Sequence, residues 1–188
     1  MVIIGPGTEL HEGNLPKPRI RQGEHMSFSS INPATNKTLA TYDSISKAET
    51  IDAIGKADKA FREWRQVSFD QRKALLLLVA GELRERSEHF AKLITLEMGK
   101  RISESKAEIE YCAKIVEFYA NRAECFMADQ PMNVDGIDAT IQHSPLGVLL
   151  GIMPWNFPFY QVIRFAAPNI MAGNTVLVKH AGNVPQCA

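Results

Sequence analysis

Two short apolar segments flank a helical one near the end of the chain, and this arrangement constrains the fold more than any other feature of the sequence. The first, Leu146–Met153, is a continuous apolar run of the kind found in strands buried on both faces. The second, Thr175–Lys179, is rich in β-branched residues and follows the turn Gly173-Asn174. A helix over 157–171 between two such strands predicts a β-α-β unit with parallel strands.

Helical periodicity fills most of the chain ahead of this unit. Four helices are predicted there, marked by the capping box Ser46 and Glu49, the capping box Ser68 and Gln71, a helix over 90–98 stopped by Gly99, and a long helix over 103–127. The second helix carries the apolar run Ala74–Ala80, which is typical of a buried helix. Helices followed by a β-α-β unit predict an α/β fold. Because one or two parallel strands cannot make a stable sheet, we expect the architecture to be incomplete at Ala188.

Strands are also predicted on both sides of the helical part. Residues 27–41 contain two β-prone pieces around Asn32-Pro33 and Asn36, which predict a hairpin. After the turn Asp135-Gly136, apolar and polar residues alternate, which predicts a half-exposed strand over 138–144.

The cysteines argue against a disulfide framework or a cysteine-rich metal site, because they are three in number and unclustered. Cys112 belongs to a stripe of the long helix at 3-4-3-4-3 spacing, formed by Ile109, Cys112, Val116, Tyr119, Ala123 and Phe126. A thiol in such a stripe is expected to be an unreactive core residue, since apolar surroundings keep it protonated. A reducing cytoplasm is the expected location.

Residues 1–26 differ from the rest, since glycine and proline interrupt any helical or strand period. We expect a disordered tail or a leader, and the acidic residues in it fit neither a signal peptide nor a mitochondrial transit peptide. Twenty-one basic residues balance 21 acidic ones, so no net charge draws the chain to nucleic acid or an anionic membrane. The sequence contains no run of roughly 18 apolar residues, so no membrane span is predicted. The expected partner is a small molecule or another copy of the chain.

Three segments carry a resemblance to a known family. Gly151–Pro158 reads Gly-Ile-Met-Pro-Trp-Asn-Phe-Pro, and Lys179 follows Asn156 by 23 residues. In the same order, Asn32–Thr35 and Leu96–Lys100 match other stretches of that family, and the chain resembles the aldehyde dehydrogenase superfamily from about Ile31 onward. The resemblance implies the amino-terminal part of that fold, a helical segment followed by the start of a Rossmann-like parallel sheet. It further implies that 27–188 form a partial NAD(P)-binding domain, with 138–144 as an oligomerisation strand and the catalytic domain absent.

The resemblance also implies a chemistry, in which a cysteine thiolate attacks the aldehyde, a tetrahedral oxyanion forms, hydride passes to the nicotinamide and a thioester is hydrolysed. Asn156 matches the family residue whose amide donates to the oxyanion, and an amide suits this role because it donates without titrating. The alternative is that Asn156 caps the helix that follows it, since asparagine is a favoured cap residue.

Cofactor residues follow from the same resemblance. The segment Ile152, Met153, Pro154 and Trp155 matches the wall against which NAD or NADP lies, and Lys179 matches a lysine that contacts the adenosine ribose. The family often continues with a glutamate that holds the ribose hydroxyls, whereas this chain has Gly182 there. A carboxylate would repel a 2′-phosphate, so Gly182 leaves both NAD and NADP open. His180 is expected to support the site or to lie on the surface without binding metal.

The substrate class depends on Arg164. Phe157, Gln161 and Arg164 are spaced to share one helix face, which lines the aldehyde tunnel in the family. Succinate-semialdehyde dehydrogenases carry an arginine eight residues after the asparagine, and a guanidinium can grip a carboxylate bidentately. The resemblance therefore implies an aldehyde that also carries a carboxylate. The alternative is an arginine exposed on the surface or paired with a neighbouring acid.

The family's nucleophile and base segments have no match in the sequence. Cys187 is expected in a helix without a neighbouring base, and we reject it as the nucleophile. The chain alone is expected to be inactive. Two interpretations follow: the amino-terminal part of an enzyme that forms a homo-oligomer when complete, or a naturally short, inactive protein that binds nucleotide or assembles with full-length subunits.

Overall fold

The computed structural model describes residues 27–188, and the tail or leader expected over 1–26 lies outside them. The elements are, in chain order, β1 Ser27–Ile31, β2 Thr38–Asp43, α1 Lys47–Trp64, α2 Phe69–Glu85, α3 Ser87–Met98, α4 Ile102–Met127, β3 Gln130–Val134, β4 Ile137–Ile141, β5 Val148–Ile152, α5 Pro158–Met171, β6 Thr175–Lys179 and a 3₁₀ turn Pro185–Cys187. The strands form three two-stranded sheets, of which β5-β6 is parallel and the others are antiparallel. The predicted α/β class and the β-α-β unit are confirmed.

Local signals set the helix ends as predicted. Ser46 accepts a hydrogen bond from the Glu49 N–H at 3.2 Å, and the Glu49 carboxylate accepts one from the Ser46 N–H at 2.7 Å. The same reciprocal bonds join Ser68 and Gln71 ahead of α2. At the end of α3, Gly99 adopts a left-handed conformation with φ of 76°, which a glycine takes without the steric cost of a Cβ.

The core lies among α2, α3, α4 and α5, and its buried members include Leu76, Ala80, Leu83, Ile94, Ile109, Cys112, Val116, Ala167 and Met171. The prediction that the run Ala74–Ala80 is buried is wrong, because Leu75 is 51 % exposed and Leu78 is 70 % exposed. Helix α2 packs on α4 and α5 through one face only, so the opposite face stays in water. In the stripe of α4, Phe126 is exposed as well, because it lies in the last turn beyond the packed region.

Arg72 is a buried polar residue that joins α2 to the end of α5. Its guanidinium donates to the carbonyls of Met171, Trp64 and Arg65 and stacks on the ring of Phe69, with 5.3 Å from Cζ to the ring centroid. Gly173 lies against the same guanidinium, so that a Cβ would stand 3.0 Å from Nη2. A larger residue at 173 would displace this buried group.

Strands β5 and β6 pair in register from Val148 with Thr175 to Ile152 with Lys179. Gly151 makes close packing of α5 on this sheet possible, because a Cβ there would lie 2.7 Å from the Phe165 ring. The expectation that the first strand is buried on both faces is wrong within the described residues, since Leu150 is 64 % exposed and Ile152 is 72 % exposed. Helix α5 packs on the face of this sheet that carries Gly151, whereas α1 reaches the start of β6, where Thr175 Oγ1 donates to the Ala57 carbonyl at 3.0 Å.

The hairpin predicted over 27–41 is present, and the predicted strand that follows the helical part belongs to a second hairpin. The β1-β2 hairpin turns through Asn36, whose φ is 59°. The strand predicted over 138–144 is shorter in the structure, at Ile137–Ile141, and it pairs with β3 through a turn at Gly136. Within residues 27–188, no helix is long and apolar enough to cross a membrane, and no group of three or more potential ligands is placed to hold a metal ion.

Candidate active site

The loops after β5 and β6 lie side by side at the carboxyl ends of the two parallel strands. The Met153 N–H donates to the Lys179 carbonyl at 3.0 Å, so the loop of 153–157 begins next to that of 180–182. Open α/β sheets bind ligands at this end of their strands. The first loop leads directly into α5, whose first residue is Pro158.

Most of the predicted cofactor residues lie at this edge of the sheet. Ile152, Pro154, Trp155, Lys179 and Gly182 are all exposed, with Trp155 at 51 %. In contrast, the Met153 side chain is buried against the sheet, so only its backbone faces the loop. Within residues 27–188, the structure therefore provides an exposed apolar edge beside Lys179, which makes no ion pair there.

His180 connects the two loops. The Ala181 N–H donates to Nδ1 at 2.8 Å, so the other ring nitrogen carries the proton, and Nε2–H donates to the Pro158 carbonyl at 2.9 Å. This neutral tautomer joins the end of β6 to the start of α5. His180 was expected either to support the site or to lie on the surface, and these contacts favour the supporting role.

Asn156 does not cap α5 in the structure. The N-cap residue is Phe157, and no side chain at that position bonds the first turn. Glu108 of α4 takes over this function, since its Oε1 accepts from the Phe159 N–H at 3.0 Å and the Tyr160 N–H at 3.1 Å. Asn156 is exposed, and its amide has no hydrogen-bond partner within residues 27–188. The amide is therefore available to a ligand.

Lys100 and Glu108 form a buried ion pair beside this turn. Their side chains are 9 % and 1 % exposed, and Lys100 Nζ lies 3.7 Å from the centroid of the Phe157 ring. Burying such groups costs much free energy unless they are paired and hydrogen-bonded, as both are here. Neither residue was predicted to act at the site, because Glu108 contacts α5 across 51 positions of sequence and no local pattern reports such a contact.

Arg164 lies in a cleft of about 570 Å³ between α4 and α5. Its lining residues are Tyr111, Lys114, Ile115, Phe118, Tyr119, Tyr160 and Arg164. The guanidinium stacks over the Tyr160 ring at 5.6 Å, and Tyr160 stacks on Tyr111 at the same distance. Arg164 is exposed, as the alternative of a surface arginine expects, and among residues 27–188 no carboxylate pairs with it, so the alternative of a salt-bridged arginine does not apply within them.

The structure only partly brings together the predicted substrate face. Gln161 is half-buried and does not line the Arg164 cleft. Phe157, which has a non-helical φ of −140°, lines a second cleft beside Lys100 and not the Arg164 cleft. Tyr111 lines both clefts. The signal that sequence reasoning missed is a second stripe on α4, spaced 111, 114, 115 and 118 beside the buried one.

Two cysteines are buried and unsuited to act as nucleophiles. Burial raises the pKa of Cys112 to about 12, and burial beside Glu97 raises the pKa of Cys187 further. Cys187 lies in a 3₁₀ turn, and its backbone N–H donates to Glu97 at 3.0 Å. These surroundings support the prediction that Cys187 is not the catalytic thiol.

The chain is similar to known proteins of one family. Residues 20–188 match the model of the aldehyde dehydrogenase family. A probable NADP⁺-dependent succinate-semialdehyde dehydrogenase of Synechocystis sp. is 46 % identical over 163 residues, which cover 87 % of this chain and 36 % of the relative. The succinate-semialdehyde dehydrogenase [NADP⁺] of Deinococcus radiodurans is 44 % identical over 161 residues, covering 86 % of this chain and 34 % of that protein. The chain thus spans about a third of the length of these curated relatives.

Solved structures show the same likeness. Succinic semialdehyde dehydrogenase from Streptococcus pyogenes, in complex with NADP⁺, superposes with a TM-score of 0.83 at 35 % identity, covering 86 % of this chain and 36 % of that one. The succinate-semialdehyde dehydrogenase of Burkholderia pseudomallei gives 0.82 at 31 % identity, covering 87 % and 34 %. The resemblance carried by the Pro-Trp-Asn-Phe-Pro segment is thereby confirmed, and this chain belongs to the aldehyde dehydrogenase family.

Proposed function

We propose that this chain forms the amino-terminal part of an enzyme that oxidises succinate semialdehyde to the carboxylic acid with NAD⁺ or NADP⁺. The observation that carries the proposal is the arrangement of α5. Its first turn follows Asn156, whose amide makes no hydrogen bond within residues 27–188, and two turns later Arg164 stands in an aromatic cleft. One helix thus offers a donor for a developing oxyanion and a cation for a carboxylate, which are the two groups that such a substrate carries.

Asn156 acts as an oxyanion donor in this proposal. A nucleophile that attacks the aldehyde carbon turns its carbonyl oxygen into an oxyanion, and a preoriented N–H stabilises that charge as it develops. The amide of Asn156 is exposed and makes no hydrogen bond within the described residues, so nothing there competes for it. The nucleophile and the base belong to a part of the enzyme outside this chain.

The exposed edge at Ile152, Pro154 and Trp155 holds the dinucleotide in the proposed enzyme, together with Lys179 and Gly182. When bound, the nicotinamide ring accepts the hydride that leaves the tetrahedral carbon. The backbone of Met153 orients this edge through its bond to the Lys179 carbonyl. The two curated relatives are NADP⁺-dependent, and the Streptococcus pyogenes enzyme is in complex with NADP⁺, which supports NADP⁺ as the cofactor here.

Assembly is proposed to use the β3-β4 hairpin. It forms a sheet of its own, and Met132, Ile137 and Ile141 on it are exposed at 48 %, 64 % and 43 %. An exposed strand edge with apolar side chains pairs readily with another chain. A homo-oligomer in the cytoplasm, acting without nucleic acid or membrane, is the proposed form of the complete enzyme.

Replacement of Arg164 tests the substrate assignment. In the complete enzyme, Arg164→Leu should lower kcat/KM for succinate semialdehyde by roughly 30-fold to 1000-fold, because it removes a charge-assisted bidentate contact. Butanal, which has no carboxylate, should lose little. Arg164→Lys should recover part of the loss, since an ammonium keeps the charge without the planar fork. Steady-state kinetics with both aldehydes measure the difference.

Arg86→Leu is a matched control for this test. Arg86 also lies over an aromatic ring, at 4.8 Å from Phe90, but it does not line the cleft. Its replacement should change neither substrate's kinetics by more than about twofold. Equal losses for both aldehydes in Arg164→Leu would mean that the residue supports the helix, and the substrate would then be an unspecified aldehyde.

A further inference from the structure

The first turn of α5 is capped by a residue from another helix. Pro158 at the first helical position has no N–H, and the Gln161 N–H already bonds the Phe157 carbonyl. The two remaining free donors belong to Phe159 and Tyr160, and both point to Glu108 Oε1. A single buried carboxylate oxygen therefore satisfies the open donors of this turn and faces the positive end of the helix dipole.

Lys100 holds this carboxylate in place from the other side. It pairs with Oε2 of Glu108 while its ammonium lies over the Phe157 ring. Lys100 thus contacts the Phe157 ring, and Glu108 accepts from the N–H groups of Phe159 and Tyr160. These contacts surround the residue directly after Asn156, and the backbone there has little freedom to rotate.

His180 restrains the same turn from the sheet, since its Nε2–H donates to the Pro158 carbonyl. Contacts from α4 and from the loop after β6 therefore meet at 157–160. The Asn156 amide takes no part in them, although it lies one residue away. Such an arrangement directs a side chain without consuming its hydrogen bonds, which is what a preorganised donor requires.

We propose that Glu108, held by Lys100, is a positioning residue for the aldehyde oxidation: it fixes the turn that aims the Asn156 amide at the oxyanion. This inference rests on the proposed function. Glu108 does not touch the substrate or the cofactor in this scheme, and its effect on the rate passes through Asn156 alone. A misplacement of about 1 Å at a reacting centre can cost on the order of 100-fold in rate, so the effect is measurable.

A double-mutant cycle in the complete enzyme tests the proposal. Glu108→Ala should lower kcat about 10-fold to 100-fold for succinate semialdehyde and for butanal alike, with KM for NADP⁺ nearly unchanged. In an Asn156→Ala background, Glu108→Ala should lower kcat by less than about threefold, because the donor that it positions is gone. Losses that multiply in the double variant would overturn the proposal, since a residue that merely supports the fold acts independently of Asn156.

A matched pair of variants guards against loss of folding. Lys100→Met with Glu108→Gln removes both charges and keeps an acceptor oxygen, whereas Lys100→Met with Glu108→Leu removes the acceptor as well. The first should retain most of the wild-type kcat and the second should not, and equal rates would overturn the proposal. Glu104→Ala, a change to an exposed carboxylate one turn earlier that pairs with Arg101, should leave kcat unchanged.

Amide hydrogen exchange gives a readout that is independent of turnover. The N–H groups of Phe159 and Tyr160 should exchange faster in the Leu variant than in the Gln variant, because only the latter retains their acceptor. Unchanged exchange would overturn the capping role even if rates fall. If the wild-type enzyme oxidises no aldehyde, the proposed function fails, whereas multiplicative losses in an active enzyme reject only the role of Glu108.

Discussion

Glycine at position 182 stands where the family often carries a glutamate that holds the adenosine ribose. The structure shows what this difference permits, because among residues 27–188 a Cβ at Gly182 would meet only the Phe28 ring, at the ordinary contact distance of 3.9 Å. Space therefore does not require the glycine. Its consequence is electrostatic, since the absence of a carboxylate next to Lys179 removes a charge that would repel a 2′-phosphate.

Gly182→Glu should therefore shift cofactor preference from NADP⁺ towards NAD⁺ in the complete enzyme. Like-charge repulsion against the 2′-phosphate should lower kcat/KM for NADP⁺ by about 10-fold to 100-fold, while NAD⁺ gains an acceptor for its ribose hydroxyl. Steady-state kinetics with each cofactor give the ratio. In the control Gly182→Gln, the new side chain has nearly the size of glutamate without its charge. An equally large fall in kcat/KM for NADP⁺ in this control would mean that the shape of the side chain and not its charge causes the effect.

Sequence reasoning predicted Asn156, Lys179 and Arg164 as site residues because they belong to motifs that read locally. It did not predict Glu108, which bonds the first turn of α5 and pairs with Lys100. A buried carboxylate that caps a helix 51 positions away leaves no periodic signal in the sequence. A glutamate in a helix is ordinarily exposed to solvent, so its residue type does not indicate burial either. The same holds for Tyr111 and Lys114, whose stripe borders the cleft only because α5 packs beside it.

Among the secondary-structure elements, Glu97 at the end of α3 connects parts that are distant in sequence. It is 2 % exposed and accepts from Ser30 Oγ at 2.6 Å, the Gln186 N–H at 3.1 Å and the Cys187 N–H at 3.0 Å. The β1-β2 hairpin and the 3₁₀ turn are thus attached to the helical core through one carboxylate. Each of these donors would be unsatisfied without it.

Glu97→Ala should destabilise the protein strongly. Leaving three buried donors unpaired costs roughly 1 to 3 kcal/mol each when relaxation and water do not compensate, so a total loss of about 3 kcal/mol or more is expected. Thermal denaturation should show a fall in Tm of several degrees. Glu88→Ala removes an exposed carboxylate of the same helix and is the control, expected to change Tm by little. A similar Tm for both variants would contradict the role of Glu97 as the connection.

Helix ends that carry a cap followed from the sequence because caps act over three or four residues, as Ser46, Ser68 and Gly99 show. The start of α3 did not, since it begins at Ser87 and not at 90, and its N-cap residue Arg86 makes no side-chain hydrogen bond to the first turn. Burial did not, because the neighbours of a helix decide which of its faces is covered. The leucines of α2 are chemically alike, yet Leu76 is 4 % exposed and Leu78 is 70 % exposed. Only the position of α4 and α5 distinguishes them. A uniformly apolar run carries no period from which the buried face can be predicted.

In the part of the molecule that the structure describes, one face of the β5-β6 sheet leaves two large apolar side chains exposed. Leu150 and Ile152 point to this face, while Leu149 and Gly151 point towards the helices. Two parallel strands seldom suffice for a stable sheet. Aggregation or partial unfolding is therefore expected when residues 1–188 are expressed alone. Aldehyde oxidation by that polypeptide is not expected, since the family's nucleophile and base segments have no match in its sequence.

Leu150→Glu should affect the polypeptide of 188 residues and the complete enzyme in opposite ways. The comparison distinguishes the two interpretations of the chain, as the amino-terminal part of an enzyme or as a naturally short protein. In the polypeptide of 188 residues, the carboxylate lies in water and should reduce self-association measured by sedimentation velocity, with Tm unchanged or higher. In a complete enzyme, further elements cover that face, and burying an unpaired carboxylate there should cost several kcal/mol and the fold with it. Leu149→Glu, at a half-buried position, should destabilise both forms. If Leu150→Glu were harmless in the complete enzyme as well, this sheet face would be free in both, and the interpretation as a short assembly partner would gain support over the enzyme.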